Sequence, residues 1–136
     1  MSIKKKVMVV DDDEKLLEIT KFILENEGYE VLIHNRAIGS TNHIKDFKPD
    51  IVLLDINMPA LSGESLAKVI NSTKSVRGVP IIFHSSNDEE SLRDSVKENG
   101  AKGYICKGDL ADLKRKVAYY LAESEIADIL KSPDNY

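Results

Sequence analysis

The stretch PDIVLLDINMP, residues 49–59, decides the fold of this chain. Its apolar residues 51–54 lack the alternation of a half-exposed strand, so they predict a strand buried on both faces, as in a parallel sheet. Asp55 follows this strand directly, and Asn57 and Gly63 indicate a loop rather than a helix after it. The stretch therefore predicts a buried parallel strand that ends in a carboxylate beside a loop.

The rest of the chain repeats this pattern outward in both directions. Short apolar runs at residues 7–10, 31–33, 81–83 and 104–106 predict four further strands. Segments with the apolar spacing of helices lie between and after these runs. Two of the predicted helices are residues 14–27, before Gly28, and residues 40–47, before Pro49. Three more are marked by apolar stripes: Leu66, Val69 and Ile70; Leu92 and Val96; and Leu110, Leu113, Val117 and Leu121. Five strand–helix units predict a doubly wound α/β domain with right-handed crossovers.

Composition limits the classes of protein that are compatible with this pattern. The chain has 136 residues, 42% of them hydrophobic, and a formal net charge of −4, which fits one folded domain and disfavours a nucleic-acid-binding surface. Cys106 is the single cysteine, so no internal disulfide can form. The apolar run at residues 7–10 is too short for a signal peptide or a membrane span. We therefore expect a soluble, cytoplasmic domain that binds neither nucleic acid nor membrane.

The C-terminal segment departs from the repeating pattern. Past Ser124 the apolar stripe moves to Ile126, Ile129 and Leu130. A single helix over residues 109–130 would be about 33 Å long, which exceeds the length of a typical strand, so its end should overhang the core. We expect a domain over residues 1–123 and a helical extension with a short tail over residues 124–136.

Charged and polar residues follow the predicted strands. Asp11, Asp12 and Asp13 end the first strand, Asp55 the third, Ser85 the fourth and Lys107 the fifth. Any one of them could be a helix N-cap or a surface residue, as Asp13 is expected to be. Because parallel strands end at one edge of the sheet, the carboxylates should gather there and require a cation. Carboxylate ligands suit Mg²⁺.

Four sequence strings resemble the receiver domain of bacterial two-component response regulators. They are VMVVDDD (residues 7–13), PDIVLLDINMP (49–59), PIIFHSS (80–86) and GAKGYICK (100–107), and the resemblance covers residues 5–123. It implies a flavodoxin-like five-stranded parallel sheet in the order 2-1-3-4-5. It also implies that Asp55 accepts a phosphoryl group from a sensor histidine kinase or a histidine phosphotransfer domain.

The same resemblance implies roles for the residues around Asp55. For Mg²⁺, Asp12 corresponds to the direct ligand, Asp11 to a ligand acting through water, and the backbone carbonyl of Asn57 to a third ligand. Lys107 and the hydroxyl of Ser85 correspond to groups that contact the phosphoryl group. Tyr104 corresponds to the switching aromatic residue.

The resemblance implies a signalling module rather than an enzyme. Phosphorylation would change the surface of the fourth helix, fifth strand and fifth helix, which would bind a downstream protein or a second copy of the chain. One departure is Gly108, where the family usually has proline after the lysine. Because non-proline cis peptides are costly, we expect a trans peptide bond after Lys107 and a more mobile loop.

Two alternative functions remain open. Haloacid-dehalogenase-like phosphatases also use a strand-end aspartate with Mg²⁺, but their D-x-D-x-T pattern lacks its threonine here. The other alternative is a receiver-like binding scaffold that is never phosphorylated.

The histidines and the cysteine favour structural interpretations. We expect His84 to pack at a strand end and Cys106 to be an inert core residue. His34 and His43 are far apart in sequence and give no support for a pair of metal ligands.

Overall fold

The computed structural model describes residues 3–131, which form five strands and five helices in strict alternation. The strands are β1 (Lys6–Val10), β2 (Glu30–His34), β3 (Ile51–Leu54), β4 (Ile81–Ser85) and β5 (Gly103–Cys106). The helices are α1 (Glu14–Asn26), α2 (Ser40–Phe47), α3 (Gly63–Ser72), α4 (Glu89–Asn99) and α5 (Leu110–Lys131). All ten predicted elements are present, and the fourth strand continues two residues further than predicted.

The five strands form one parallel sheet in the order β2-β1-β3-β4-β5. This order confirms the predicted flavodoxin-like architecture. In the register of the sheet Val10 lies beside Leu54, and the Asp55 N–H donates a hydrogen bond to the Val10 carbonyl at 2.9 Å. The residues that follow β1 and β3 are therefore held side by side at the carboxyl edge of the sheet.

Two apolar clusters cover the two faces of the sheet. One cluster contains buried residues of α2, α3 and α4, among them Ile44, Ile70 and Leu92. The other contains buried residues of α1 and α5, among them Leu24 and Val117. With both faces covered, β3 and β4 are buried along their whole length and β1 is buried from Val7 onward, which explains their continuous apolar runs.

The predicted helix stripes are wrong in detail at two positions, because Val69 and Leu110 are 41% and 48% exposed. In α1 the helical spacing fits either Ile19 or Thr20, and Ile19 is 47% exposed. In α1 the buried positions are Leu17, Thr20 and Leu24, so the helix turns a threonine rather than an isoleucine toward the sheet. Adjacent apolar residues in α1 are compatible with more than one stripe, and packing on the sheet selects between them.

Helix α5 is one continuous helix of 22 residues. Leu121 is its last buried residue, and Ile126, Ile129 and Leu130 are 56%, 52% and 68% exposed, as expected for a helix end that passes the core. The domain boundary at residue 123 stays a prediction, and the predicted tail beyond residue 131 lies outside the described residues. Within residues 3–131, no helix combines the length and the apolar character needed to cross a membrane.

Candidate functional site

Three carboxylates meet at the carboxyl edge of the sheet. Asp11, Asp12 and Asp55 each offer one oxygen, and these oxygens lie within 4.8 Å of one another. Asp12 is exposed, whereas the Asp11 and Asp55 side chains are only 2% and 4% exposed. The sheet register causes this meeting, because Asp11 and Asp55 follow neighbouring parallel strands.

Lys107 lies against the two buried carboxylates. Its Nζ is 2.8 Å from Asp11 Oδ2 and 3.2 Å from Asp55 Oδ1. Burial raises the pKa of Asp55, the negative charge of Asp11 raises it further, and Lys107 only partly opposes them. Burial alone would lower the pKa of Lys107, but its contacts with Asp11 and Asp55 raise it above its ordinary value. The site therefore holds a charged lysine and an excess of negative charge.

The donor set fits a hard divalent cation. Asp11 Oδ2 is buried, and it shares the Lys107 ammonium, at 2.8 Å, with Asp55 Oδ1 at 3.2 Å, so two buried carboxylates face one positive charge. One exposed carboxylate and two buried ones supply oxygen ligands of the kind that Mg²⁺ takes, together with water. A cation would also reduce the repulsion from Asp11, which is the second cause, after burial, of the raised pKa of Asp55.

The loop after β3 is fixed by a close approach at Gly63. A Cβ atom on Gly63 would lie 2.0 Å from the backbone oxygen of Asp55, which no side chain could tolerate. The Gly63 N–H donates to the Ile56 carbonyl at 2.8 Å, and the Ser62 side chain caps α3 by accepting from the Ser65 N–H. Ser62 therefore caps α3, and Gly63 is needed for space.

Two amides link the loops around the site. The Ser85 side chain is buried, and its Oγ accepts a hydrogen bond from the Asn87 N–H at 3.2 Å. The Asn57 side chain donates to Asn87 Oδ1 at 2.9 Å, while the Asn57 N–H lies 3.4 Å from Asp55 Oδ1. The resemblance gave a role only to the backbone carbonyl of Asn57, and the contact between the Asn57 and Asn87 side chains depends on the tertiary fold.

The loop after β5 has a different geometry from the loop after β3. The Lys107 N–H donates to the Ser85 carbonyl at 2.9 Å, which aligns the lysine with the site. The Lys107–Gly108 peptide bond is trans, as predicted, since the described residues contain no cis peptide. Gly108 has φ +105°, whereas proline is fixed near φ −65°. The backbone of this loop therefore excludes the proline that the family usually has.

Tyr104 is half-buried on β5 and contacts two helices. Its hydroxyl donates to Glu89 Oε1 at 3.3 Å, and Lys116 Nζ lies 5.1 Å from the centre of its ring. Cys106 is half-buried too and packs against one apolar cluster; burial, together with Glu89, raises the pKa of its thiol. Tyr104 is thus positioned between α4 and α5, as a residue that links them would be.

The burial of His84 confirms a prediction, whereas a contact between His34 and His43 was not predicted. His84 is buried at the end of β4, as predicted, and burial, assisted by the charge of Lys107, lowers its pKa to about 4. His34 and His43 are in ring contact with centroids 4.5 Å apart, although nothing in their sequence separation indicated this. His34 Nε2 lies 2.7 Å from the Ile38 carbonyl, which accounts for one of its nitrogens.

A polar contact between α3 and α4 was missed at the sequence level. Ser95 and Asn99 both donate to Glu64 Oε2, at 2.6 and 3.3 Å. Both lie on the apolar face of α4, three and seven residues after the buried Leu92. Polar residues at core positions were the available signal, because buried polar groups need partners.

The comparisons with known proteins agree with this fold and this acidic edge. The sequence model of the response regulator receiver domain matches residues 7–118. The chain therefore belongs to the response regulator receiver domain family of two-component signalling. It is 31% identical over 124 residues to the alkaline phosphatase synthesis transcriptional regulatory protein PhoP of Bacillus subtilis; the match covers 90% of this chain and 51% of PhoP. The chain thus spans about half the length of that relative.

Solved structures give the same fold. A CheY-like response regulator receiver domain protein from Methanospirillum hungatei superposes with a TM-score of 0.81 at 31% identity, over 92% of this chain and 99% of that one. The receiver domain of the sensor histidine kinase PA1611 from Pseudomonas aeruginosa gives 0.77 at 23% identity, over 88% and 99% of the two chains. The second structure was described with a magnesium ion coordinated in its active-site cleft.

Proposed function

We propose that this chain accepts a phosphoryl group on Asp55 in a Mg²⁺-dependent reaction, with a sensor histidine kinase or a histidine phosphotransfer domain as donor. The observation that carries the proposal is the position of Asp55, which lies 3.2 Å from Lys107 and beside the carboxylates of Asp11 and Asp12. Lysine and metal ligands around one carboxylate are what phosphoryl transfer to that carboxylate requires.

Asp11, Asp12 and Asp55 would hold Mg²⁺, with the backbone carbonyl of Asn57 as a further ligand. Their fit rests on the clustered oxygens and on the two buried carboxylates, Asp11 and Asp55, that share the single positive charge of Lys107. When bound, the cation would neutralise negative charge on the carboxylates and on the incoming phosphoryl oxygens. The magnesium in the cleft of the PA1611 receiver domain supports this assignment.

The chain's own residues position the reacting groups. Lys107 and the Asn57 N–H both contact Asp55 Oδ1, so Oδ2 is the better placed nucleophile. An Asp55 oxygen forms a bond to phosphorus as the bond from phosphorus to the donor's histidine nitrogen breaks, which leaves an aspartyl phosphate. Lys107 and the hydroxyl of Ser85 then balance and bind phosphoryl oxygens.

The output would be a changed surface on α4, β5 and α5. Ser85 would turn from the Asn87 N–H toward the phosphoryl group, and Tyr104 would leave Glu89 and turn inward. A downstream protein or a second copy of the chain would then bind this surface. In this proposal the chain is a cytoplasmic signalling module and not an enzyme with a separate substrate, and residues 1–123 form the receiver with residues 124–136 as an extension.

Labelling with acetyl phosphate and Mg²⁺ tests the acceptor. We expect intact-mass spectrometry to show one added phosphoryl group on the wild-type chain and none on Asp55→Asn. Asp13→Asn is the matched control, because Asp13 caps α1 and lies outside the carboxylate cluster. Equal labelling of Asp55→Asn would contradict the assignment, and a wild-type chain that takes no label would favour the unphosphorylated scaffold.

The metal is tested separately by Asp12→Ala. Because Asp12 is exposed and caps no helix, the variant should fold normally while losing both Mg²⁺ binding and phosphorylation. Isothermal titration with Mg²⁺ measures the first effect and acetyl phosphate labelling the second. Undiminished Mg²⁺ affinity would refute the site, and turnover of a phosphate monoester would favour the phosphatase alternative.

A further inference from the structure

Tyr120 of α5 covers the outer edge of the sheet at Tyr104. β5 is an edge strand, so one side of it has no neighbouring strand. The Tyr104 N–H donates to the Tyr120 hydroxyl oxygen at 3.2 Å, and the same hydroxyl donates to the Tyr104 carbonyl at 3.3 Å. In a larger sheet both groups would bond to the next strand. One tyrosine hydroxyl thus replaces a strand at this residue.

Gly103 supplies the space for this contact. A Cβ atom on Gly103 would lie 2.1 Å from the Tyr120 hydroxyl oxygen, 2.3 Å from Cζ and 2.5 Å from Cε1. Any other residue at position 103 would displace the Tyr120 ring from the edge of β5. The residues at positions 103 and 120 are therefore matched to each other, independently of the hydrogen bonds.

We propose that Tyr120 is a positioning residue that fixes the main chain of Tyr104 and confines switching to the Tyr104 side chain. This inference rests on the proposed function, in which Tyr104 changes position after Asp55 is phosphorylated. Tyr104 has its main chain bonded on the edge, while its half-buried side chain packs against one apolar cluster and contacts two long, flexible side chains, Glu89 and Lys116. In this proposal the backbone of Tyr104 stays in place and its ring moves.

Two consequences follow from the contact. Helix α5 is joined to β5 at the switch residue, so a movement of β5 would be passed directly to α5. The edge of β5 is also closed to a strand from another chain at Tyr104.

Burial raises the pKa of Tyr120, so its hydroxyl keeps the proton that it donates at neutral pH.

Tyr120→Phe removes the hydroxyl and keeps the ring. We expect Tyr104 amide hydrogen exchange, measured by NMR, to become about tenfold faster. Tyr119→Phe is the matched control, because Tyr119 is exposed and its ring packs edge-on against Tyr120 at 5.2 Å between centroids. Its Tyr104 exchange should equal that of the wild type. Unchanged exchange in Tyr120→Phe, or an equal increase in both variants, would overturn the proposal.

The switching role needs a readout that a purely structural contact would not change. Beryllofluoride, a phosphoryl mimic, should alter the ring resonances of Tyr104 in the wild type while its amide exchange stays constant. In Tyr120→Phe the mimic should change that exchange as well, because no hydroxyl then holds the Tyr104 backbone in place. A wild-type Tyr104 amide whose exchange changes severalfold with beryllofluoride would show a moving backbone and contradict the proposal.

A second pair of variants tests the matched space. Gly103→Ala should displace Tyr120 and accelerate Tyr104 exchange as Tyr120→Phe does, and adding it to Tyr120→Leu should accelerate exchange no further. Fully additive effects would contradict the match. If Gly103→Ala does not fold, the comparison of Tyr120→Phe with Tyr119→Phe tests the contact instead.

Acetyl phosphate labelling of each variant separates the two proposals. An unlabelled wild type would contradict the proposed function, whereas the exchange rate of the Tyr104 amide would still report the Tyr120 contact.

Discussion

The loops after β3 and β5 both border the acidic site and both contain a glycine, Gly63 in the first and Gly108 in the second. The two glycines are required for different reasons. Gly63 has ordinary backbone angles but no free space, since a Cβ would lie 2.0 Å from the Asp55 backbone oxygen. Gly108 has no atom within 4 Å of such a Cβ but adopts φ +105°. The first loop is held by contact, and the second by a backbone conformation.

This difference corresponds to what each loop carries. The Gly63 loop holds the backbone of Asp55, the proposed acceptor, which tolerates little displacement during in-line transfer. The Gly108 loop follows Lys107, whose long side chain can reach its carboxylate partners after small backbone shifts. The tightly packed loop lies beside the short Asp55 side chain, and the loop with open space around its glycine lies beside the long Lys107 side chain.

Gly63→Ala should have the largest effect. The clash is with backbone, which cannot rotate away, so we expect the free energy of unfolding to fall by more than about 3 kcal/mol. Urea denaturation followed by circular dichroism measures it. A loss below about 1 kcal/mol would mean that the Asp55 loop is not held by contact.

Acid should destabilise the protein through His84, which lies on β4 between the strands that lead into the two loops. Its pKa is lowered from 6.5 to about 4, so the stabilisation is complete above pH 6.5 and is lost as pH falls toward 4. The shift corresponds to about 3 kcal/mol. Denaturation at several pH values should show this loss in the wild type but not in His84→Gln.

The pKa of His84 also reports on the position of Lys107, which precedes the Gly108 loop. After burial, the charge of Lys107 is the second cause of the lowered His84 pKa. A change in the Gly108 loop that moves the ammonium should therefore raise the His84 pKa, which NMR titration measures. An unchanged value in Gly108→Ala would show that Lys107 keeps its position.

Gly108→Ala should cost about 1–2 kcal/mol, the strain of a left-handed conformation at a residue with a side chain. Gly78→Ala is the matched control, because Gly78 has φ +99° and also has open space around it. Urea denaturation should show similar losses for both, and acetyl phosphate labelling should slow only for Gly108→Ala. Gly108→Pro should not stabilise the loop; a gain in stability would contradict its observed conformation.

The helix caps that end the two loops should have the smallest effects, and equal ones. Ser62 accepts from the Ser65 N–H at 3.1 Å, and Asp109 accepts from the Asp112 N–H at 3.0 Å. Ser62→Ala and Asp109→Ala should each cost about 1 kcal/mol in thermal or urea denaturation. A large difference between them would mean that the loops differ by more than their glycines.

Most of the fold could be predicted from the sequence because the relevant signals are local. Continuous apolar runs identified the buried strands, and residues such as Asp13 and Pro49 marked helix ends where the structure has them. The side chains that face each other at the site could also be anticipated, since Asp11 and Asp55 follow strands that end at one edge. Their charge and spacing, with the family resemblance, were sufficient to predict that the carboxylates and Lys107 lie together.

Tertiary packing alone decided which face of α1 is buried, since Ile19 and Thr20 are neighbours and only the sheet selects between them. It also decided the contacts between distant residues: Glu64 with Ser95, His34 with His43, and Tyr120 with the main chain of Tyr104. Sequence patterns report on neighbours three to seven residues apart, whereas these contacts join groups whose distance is set by how separate elements pack. For the same reason the two glycines look alike in the sequence, and only the surrounding atoms and the backbone angle show that one lacks space and the other needs a left-handed turn.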